Sequence, residues 1–166
     1  MDFAVAALEL VDACQAGSGH KHEQVMCAIT GTNGKSTVTT FVGQLLSACG
    51  RSPFVGGNLG SPLSMAAAER IQALRAGKPS QYDSFIVEVS SYQLELCERF
   101  HPRAATILNL TPDHLARHGT MEAYAAAKAN VFRRMTEEDI ALLPTGDKLL
   151  QQQFEATHSH ATVWYL

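Results

Sequence analysis

Seven consecutive residues carry the densest chemistry in the chain: Gly31, Thr32, Asn33, Gly34, Lys35, Ser36 and Thr37. Two glycines let the backbone come close to a ligand, a lysine brings a point charge, and hydroxyls suit a hard cation. An apolar run over residues 25–29 precedes this segment, and helical spacing over 38–48 follows it. Strand, glycine turn and helix start, in that order, make an anion site, because unpaired N–H groups and the helix dipole both point at it. The chemistry is phosphate binding, with Lys35 for the outer phosphates of a nucleoside triphosphate and Ser36 or Thr37 for Mg²⁺. The glycine that the longer phosphate-loop pattern places six residues before Lys35 is replaced by Ile29. The shorter pattern therefore depends on its flanks; without them it is a glycine-rich turn with a surface lysine.

Three further positions stand where ligands bind in a parallel sheet, just beyond the carboxyl ends of apolar runs. Residues 84–89 (S-F-I-V-E-V) hold a single acid, Glu88. A lone carboxylate in a buried strand is costly unless it is paired or metal-bound, which makes Glu88 a Mg²⁺ ligand candidate beside the alternative of a satisfied structural acid. The run 104–110 (A-A-T-I-L-N-L) ends in T-P-D-H, placing Asp113 and His114 beyond its end. The short strand 52–55 leads to G-G-N-L-G-S-P, whose glycines allow unusual backbone angles or close contact with a ligand. Lys128 lies in A-A-A-K-A, and from spacing alone it reads as an ordinary exposed helix lysine. His20 and His22, in the polar stretch 16–23, read as a solvated turn rather than a metal pair.

The elements that must position these residues alternate. Helical spacing marks residues 2–15, with Phe3, Ala6, Ala7, Leu10, Val11 and Cys14 as its apolar face and Asp2 as N-cap. Gly50 ends the helix after the glycine turn, and Ser61 and Pro62 open a helix to residue 76 as cap and first residue. Residues 90–95 form a helical turn, and 121–135 a helix capped by Thr120. Strands at 140–143 and 162–166 flank a helix over 148–156. Strands alternating with helices predict an α/β fold, a doubly wound, mostly parallel sheet, in one domain over residues 1–166.

Bulk properties agree. The chain has 166 residues, 46% of them hydrophobic, enough for one buried core. A formal net charge of -3 gives no basic footprint, so nucleic acid is not an expected partner. Cys14, Cys27, Cys49 and Cys97 form no C-x-x-C pair and read as thiols of a reducing cytoplasm. No apolar run reaches membrane-spanning length and no basic leader is visible, so neither a membrane nor a signal peptide is expected.

Four separated blocks carry a family resemblance: A-I-T-G-T-N-G-K-S-T-V-T-T, G-G-N-L-G-S-P, V-E-V-S-S-Y-Q-L-E, and N-L-T-P-D-H-L-x-R-H-G followed by A-Y-A-A-A-K. Together they resemble the central ATP-binding domain of the Mur ligases, which build the peptide of bacterial cell-wall precursors. Within that family S-S-Y-Q-L-E is similar to the branch that adds D-glutamate. The resemblance implies ATP and Mg²⁺ as cofactors, and UDP-N-acetylmuramoyl-L-alanine and D-glutamate as small-molecule substrates. It implies phosphorylation of the muramoyl carboxylate to an acyl phosphate, followed by attack of the D-glutamate amine.

Carried onto these residues, it gives Lys35 the β- and γ-phosphates, with Gly31, Thr32, Asn33, Gly34, Ser36 and Thr37 around them. Ser36 or Thr37 with Glu88 would hold one Mg²⁺ and His114 a second. Asn58 would lie near the γ-phosphate and acyl substrate, and Ser90 and Gln93 would line the substrate side. Lys128 matches a lysine that the family carbamylates with CO₂, which requires a depressed amine pKa. Where the family often has an acid or amide two residues after the histidine, this chain has Ala116. The resemblance also implies an N-terminal domain that grips the UDP sugar and a C-terminal domain that positions D-glutamate, neither of which fits in 166 residues. The competing expectations are a nucleotide-binding remnant without catalysis, and another ATP-dependent amide ligase of the same superfamily, which includes folylpolyglutamate synthases.

Overall fold

The computed structural model describes residues 1–16 and 25–166, with side chains described up to residue 13 in the first segment. The stretch read above as a polar turn, with His20 and His22, lies outside the described residues. Among the described residues six strands form one sheet: β1 (Val25–Thr30), β2 (Pro53–Gly57), β3 (Ser84–Glu88), β4 (Ala104–Ile107), β5 (Ile140–Leu143) and β6 (Thr162–Tyr165). Their order is β2-β3-β1-β4-β5-β6, and every pairing is parallel. The helices are α1 (Asp2–Ala16), α2 (Lys35–Ala48), α3 (Leu63–Arg75), α4 (Ser91–Glu95), α5 (Leu115–His118), α6 (Met121–Ala129) and α7 (Lys148–Ala156). The expected α/β architecture is what the chain adopts.

The strand order sets the position of the site. From central β1 the chain moves outward to β2, returns to β3, and then crosses to β4 on the other side of β1. Where the winding reverses, the carboxyl ends of neighbouring strands open a crevice. The register aligns Ile29 with Glu88 and Gly57 with Glu88, so three connections leave the sheet at one level. β3 is buried at all five positions, as a central parallel strand covered on both faces must be. Phe54, Phe85, Val87, Ile107, Phe132 and Leu143 belong to one continuous core.

Several local expectations shift. Among the described side chains of α1 the buried ones are Ala4, Val5, Leu8 and Val11, whereas Phe3 and Leu10 are 88% and 67% exposed. The sequence offers two overlapping apolar stripes there, and the one that is buried faces α3, whose buried Ala66 and Ala67 permit close approach. Asp2 does not cap its own helix; its carboxylate accepts from the backbone N–H groups of Glu98 (2.6 Å) and Arg99 (3.1 Å). Gly50, at φ 77°, ends α2 as expected, and the Arg51 N–H closes on the Leu46 carbonyl at 3.0 Å. Pro62 is the N-cap of α3 rather than its first residue, because its ψ of 150° is extended. β4 stops at Ile107, three residues early, since Asn109 turns out of the sheet to pair with the glycine turn. The helix expected over 121–135 tightens at Asn130–Phe132 into a 3-10 turn.

Candidate active site

The turn between β1 and α2 is built to leave backbone groups pointing outward. Gly31 has φ 146°, and a Cβ there would meet Leu108 Cβ and backbone N at 3.2 Å. Gly34, with φ 81°, is the N-cap of α2 and supplies no side chain to occupy the first-turn N–H groups. The turn is bolted to the chain beyond β4. Asn33 and Asn109 exchange two bonds, with the Asn33 N–H donating to Asn109 Oδ1 (2.9 Å) and Asn109 Nδ2 donating to the Asn33 carbonyl (3.0 Å). Thr32 Oγ1 donates to the Thr111 carbonyl (3.1 Å), accepts from the Thr111 N–H (3.0 Å), and lies 3.3 Å from the Tyr124 hydroxyl. Lys35 folds back, its Nζ donating to the Thr32 carbonyl at 2.8 Å.

Glu88 occupies the centre of this end of the sheet, only 3% exposed. Its Oε2 accepts from Ser36 Oγ at 2.7 Å and its Oε1 from Asn58 Nδ2 at 3.0 Å. The Asn58 N–H also donates to the Glu88 carbonyl at 2.8 Å. That backbone contact requires Gly57, at φ 108°, since a Cβ there would overlap the Glu88 carbonyl oxygen. Glu88 is thus both satisfied and poised. A carboxylate, a hydroxyl and an amide converge, and hard oxygen donors of this kind suit Mg²⁺. The amide-bearing Asn58 and Ser36 are exposed, so the carboxylate is approached from solvent on that side.

Lys128 is not the exposed lysine that its spacing suggests. It is 2% exposed, with Nζ donating to the Gly31 carbonyl at 2.8 Å and lying 3.5 Å from Thr30 Oγ1. The Tyr124 ring, one helical turn back, covers it at 4.6 Å. Small neighbours explain the inversion: buried Ala125, Ala127 and Ala129 let this stretch of α6 sit close enough to drive a long side chain inward. Burial, with the positive charge of Lys35 nearby, lowers the Lys128 pKa to about 8, against the opposing pull of Asp113.

His114 begins α5 in a left-handed backbone conformation, φ 52°, with its N–H donating to Asp113 Oδ1 at 2.8 Å. Its Nδ1 lies 3.3 Å from the Tyr92 hydroxyl and its Nε2 3.4 Å from Asp113 Oδ2. Ser90 and Gln93 engage each other in a capping box. The Gln93 Oε1 accepts from the Ser90 N–H (2.9 Å) and hydroxyl (3.0 Å), and the Gln93 N–H donates to Ser90 Oγ. Of the expected residues, Ser36, Glu88 and Asn58 come together directly. Lys35 and Lys128 approach the two carbonyls of the turn instead. Among the described residues no group of three His, Cys, Asp or Glu converges on a metal position, so Glu88 and His114 stand as separate points. Sequence reasoning missed Thr32 as a bolt, Tyr124 and Tyr92; for Tyr124 the i, i+4 spacing to Lys128 was the available signal.

A parallel sheet with a phosphate-loop turn at its reversal point defines the class. The Mur ligase middle domain matches residues 29–165, and the chain belongs to that family. The UDP-N-acetylmuramoylalanine--D-glutamate ligase of Syntrophotalea carbinolica is 45% identical over 125 residues, 75% of this chain and 26% of that protein. The chain thus spans about a quarter of the length of such relatives. Its fold is similar to that of MurF from Acinetobacter baumannii, with TM-score 0.66 at 20% identity over 98% of this chain and 34% of that one. MurF from Thermotoga maritima in complex with ADP matches at TM-score 0.65 and 18% identity, over 98% and 36% of the two chains. Among the described residues no helix is long and apolar enough to cross a membrane.

Proposed function

We propose that this chain is the central nucleotide-binding domain of a ligase that joins D-glutamate to UDP-N-acetylmuramoyl-L-alanine at the expense of ATP. The observation that carries the reading is the Glu88 carboxylate held between Ser36 of the glycine turn and Asn58. It joins the phosphate-binding turn to the connection beside it, where an acyl substrate would meet the nucleotide. The 45% identical relative named for that reaction, together with S-S-Y-Q-L-E, supports D-glutamate as the acceptor.

In this reading the N–H groups of Gly34, Lys35 and Ser36, with the Thr37 hydroxyl, receive the phosphates, while Gly31, Thr32 and Asn33 hold the shape of the turn. Lys35 exchanges the Thr32 carbonyl for the β- and γ-phosphates. Glu88 with Ser36 or Thr37 would hold Mg²⁺, and His114 would serve a second cation; bound there, Mg²⁺ would neutralise charge on the transferring phosphoryl group. Asn58 orients the γ-phosphate against the muramoyl carboxylate, and Ser90 and Gln93 keep α4 fixed on the substrate side. The carboxylate takes the γ-phosphoryl group from ATP, releasing ADP. The D-glutamate amine then attacks the acyl carbon, phosphate leaves, and an amide remains. Positioning and electrostatic stabilisation are the main contributions required of the protein. The reaction is cytoplasmic, and flanking N- and C-terminal domains hold the UDP sugar and D-glutamate.

The test is a chimera in which this chain replaces the matched segment of the Syntrophotalea carbinolica ligase. Phosphate release that requires both the muramoyl substrate and D-glutamate supports the reading. A folded chimera that binds ATP yet releases no phosphate with both substrates present would overturn it.

A further inference from the structure

One buried histidine has no part in the chemistry above. The His118 side chain is 2% exposed, and both ring nitrogens are engaged by the same turn of α4. Nδ1 lies 2.9 Å from Glu95 Oε1, and Nε2 lies 3.0 Å from Ser91 Oγ. Ser91 and Glu95 are four residues apart, so one imidazole spans a full helical turn. Ser91 is itself 2% exposed, which excludes it as a nucleophile toward any substrate in solution. The arrangement is a clip.

The clip joins two elements too short to be stable alone, five-residue α4 and four-residue α5. A second strut runs parallel to it: Arg117 Nη2 donates to Glu95 Oε2 at 2.9 Å, and its guanidinium lies 5.7 Å from the centre of the Tyr92 ring. Tyr92, carried on α4 between Ser91 and Glu95, is the group that meets His114 Nδ1. His114 is the residue from which α5 starts. Fixing α5 on α4 therefore fixes the His114 ring on the Tyr92 hydroxyl. In the tautomer whose Nδ1–H donates to that hydroxyl, Nε2 carries its lone pair beside Asp113 Oδ2, 3.4 Å away; partners of this sort orient metal-binding imidazoles and settle their tautomer.

We propose that His118 is a positioning residue: by clipping α5 to α4 through Ser91 and Glu95, it holds His114 against Tyr92, with Nε2 turned to the Asp113 carboxylate as the edge that would face a cation. The cation part of this inference rests on the proposed ligase reading; the positioning part does not. His118→Phe keeps ring volume and removes both polar links, and His118→Gln restores part of them. Nuclear Overhauser cross-peaks between Tyr92 and His114 and the ¹⁵N shifts of His114 are followed in the 166-residue chain, alongside its melting temperature and its affinity for Mn²⁺-ATP. The expected result is that the Tyr92–His114 cross-peaks vanish in His118→Phe and partly return in His118→Gln, with Mn²⁺-ATP affinity weakened about tenfold in His118→Phe. Cross-peaks and shifts unchanged in a folded His118→Phe chain, whatever its melting temperature, would overturn the proposal. If the cross-peaks vanish in His118→Phe but the wild-type chain shows no Mn²⁺-dependent binding, the clip is upheld and the ligase reading is the part that fails.

Discussion

Lys128 Nζ and the Gly31 carbonyl oxygen are 2.8 Å apart, so the cation buried in α6 is held by the first residue of the glycine turn between β1 and α2. The ammonium is held at a cost. Its pKa falls to about 8 from the ordinary 10.5, chiefly through burial. The folded chain therefore binds this proton more weakly than the unfolded chain. Below pH 8 both states are protonated and the burial penalty is fully present. As pH rises from 8 to 10.5 the folded chain alone loses the proton, and stability rises. Between those limits the wild type should gain on the order of 3 kcal/mol relative to Lys128→Met, apart from other titrations common to both. Denaturant melts of the two chains across that range check this; parallel curves would contradict the assigned pKa.

The same depressed pKa makes an appreciable fraction of the Lys128 amine neutral near pH 8, the form that attacks CO₂. Carbamylation leaves one N–H on Nζ to keep the Gly31 contact. A ¹³C-bicarbonate spectrum should show one carbamate resonance that is absent in Lys128→Met.

Glu88→Gln replaces two acceptor oxygens by one acceptor and one donor, opposite the two donors Ser36 Oγ and Asn58 Nδ2. The amide nitrogen opposes Asn58 Nδ2 as donor against donor, or, turned the other way, forces the Ser36 hydroxyl to reverse and accept; either way one carboxylate oxygen is lost as a cation ligand. The expected outcome is Mn²⁺-ATP affinity lowered at least about tenfold, read by the spectrum of the bound ion, with the fold retained. Equal affinity would remove Glu88 from the cation site.

Gly57→Ala tests the support of the same carboxylate. Its φ of 108° and the overlap with the Glu88 carbonyl leave no room for a methyl group. The chain should lose about 1–3 kcal/mol of stability, and Asn58 should leave Glu88. Gly60→Ala, also at positive φ but with open space around it, separates backbone strain from the overlap.

Away from the site, Asp139 is fully buried at the start of β5, accepting from Thr136 N–H (2.6 Å), Thr136 Oγ1, His101 Nε2 and Arg103 Nη1. Burial raises its pKa, but the bonds from Thr136 and His101 win and hold it below the ordinary 3.8. Its contribution is present above that value and is lost as pH falls toward the folded pKa. Asp139→Asn should cost about 3 kcal/mol near neutral pH and flatten this part of the acid-unfolding limb, which acid titration of both chains would show.

Much of this was legible in the residues. The parallel sheet follows from apolar runs alternating with helical spacing, and Glu88 stood out because an acid in S-F-I-V-E-V needs a partner. What was hidden has physical causes. Periodicity assigns Lys128 to a surface because it counts apolar positions and does not register that alanines allow a close approach. It misjudged the buried face of the first helix because two stripes there are apolar, and only packing against Ala66 and Ala67 decides between them. The bolts Thr32–Thr111 and Asn33–Asn109 join residues 79 and 76 apart in sequence, beyond the reach of any local pattern. Ser90 and Gln93 match the capping-box spacing, and the structure gives them that local role.

The central claim is that the phosphate-binding turn is assembled in this chain, with Lys35 ready to leave the Thr32 carbonyl for a nucleotide. A calorimetric titration with Mg²⁺-ATP, run beside Lys35→Ala, tests it most directly. Saturable one-site binding in the wild type, abolished or weakened at least about tenfold in Lys35→Ala, is the predicted result. Binding of equal affinity in both, or none in a folded wild-type chain, would contradict it.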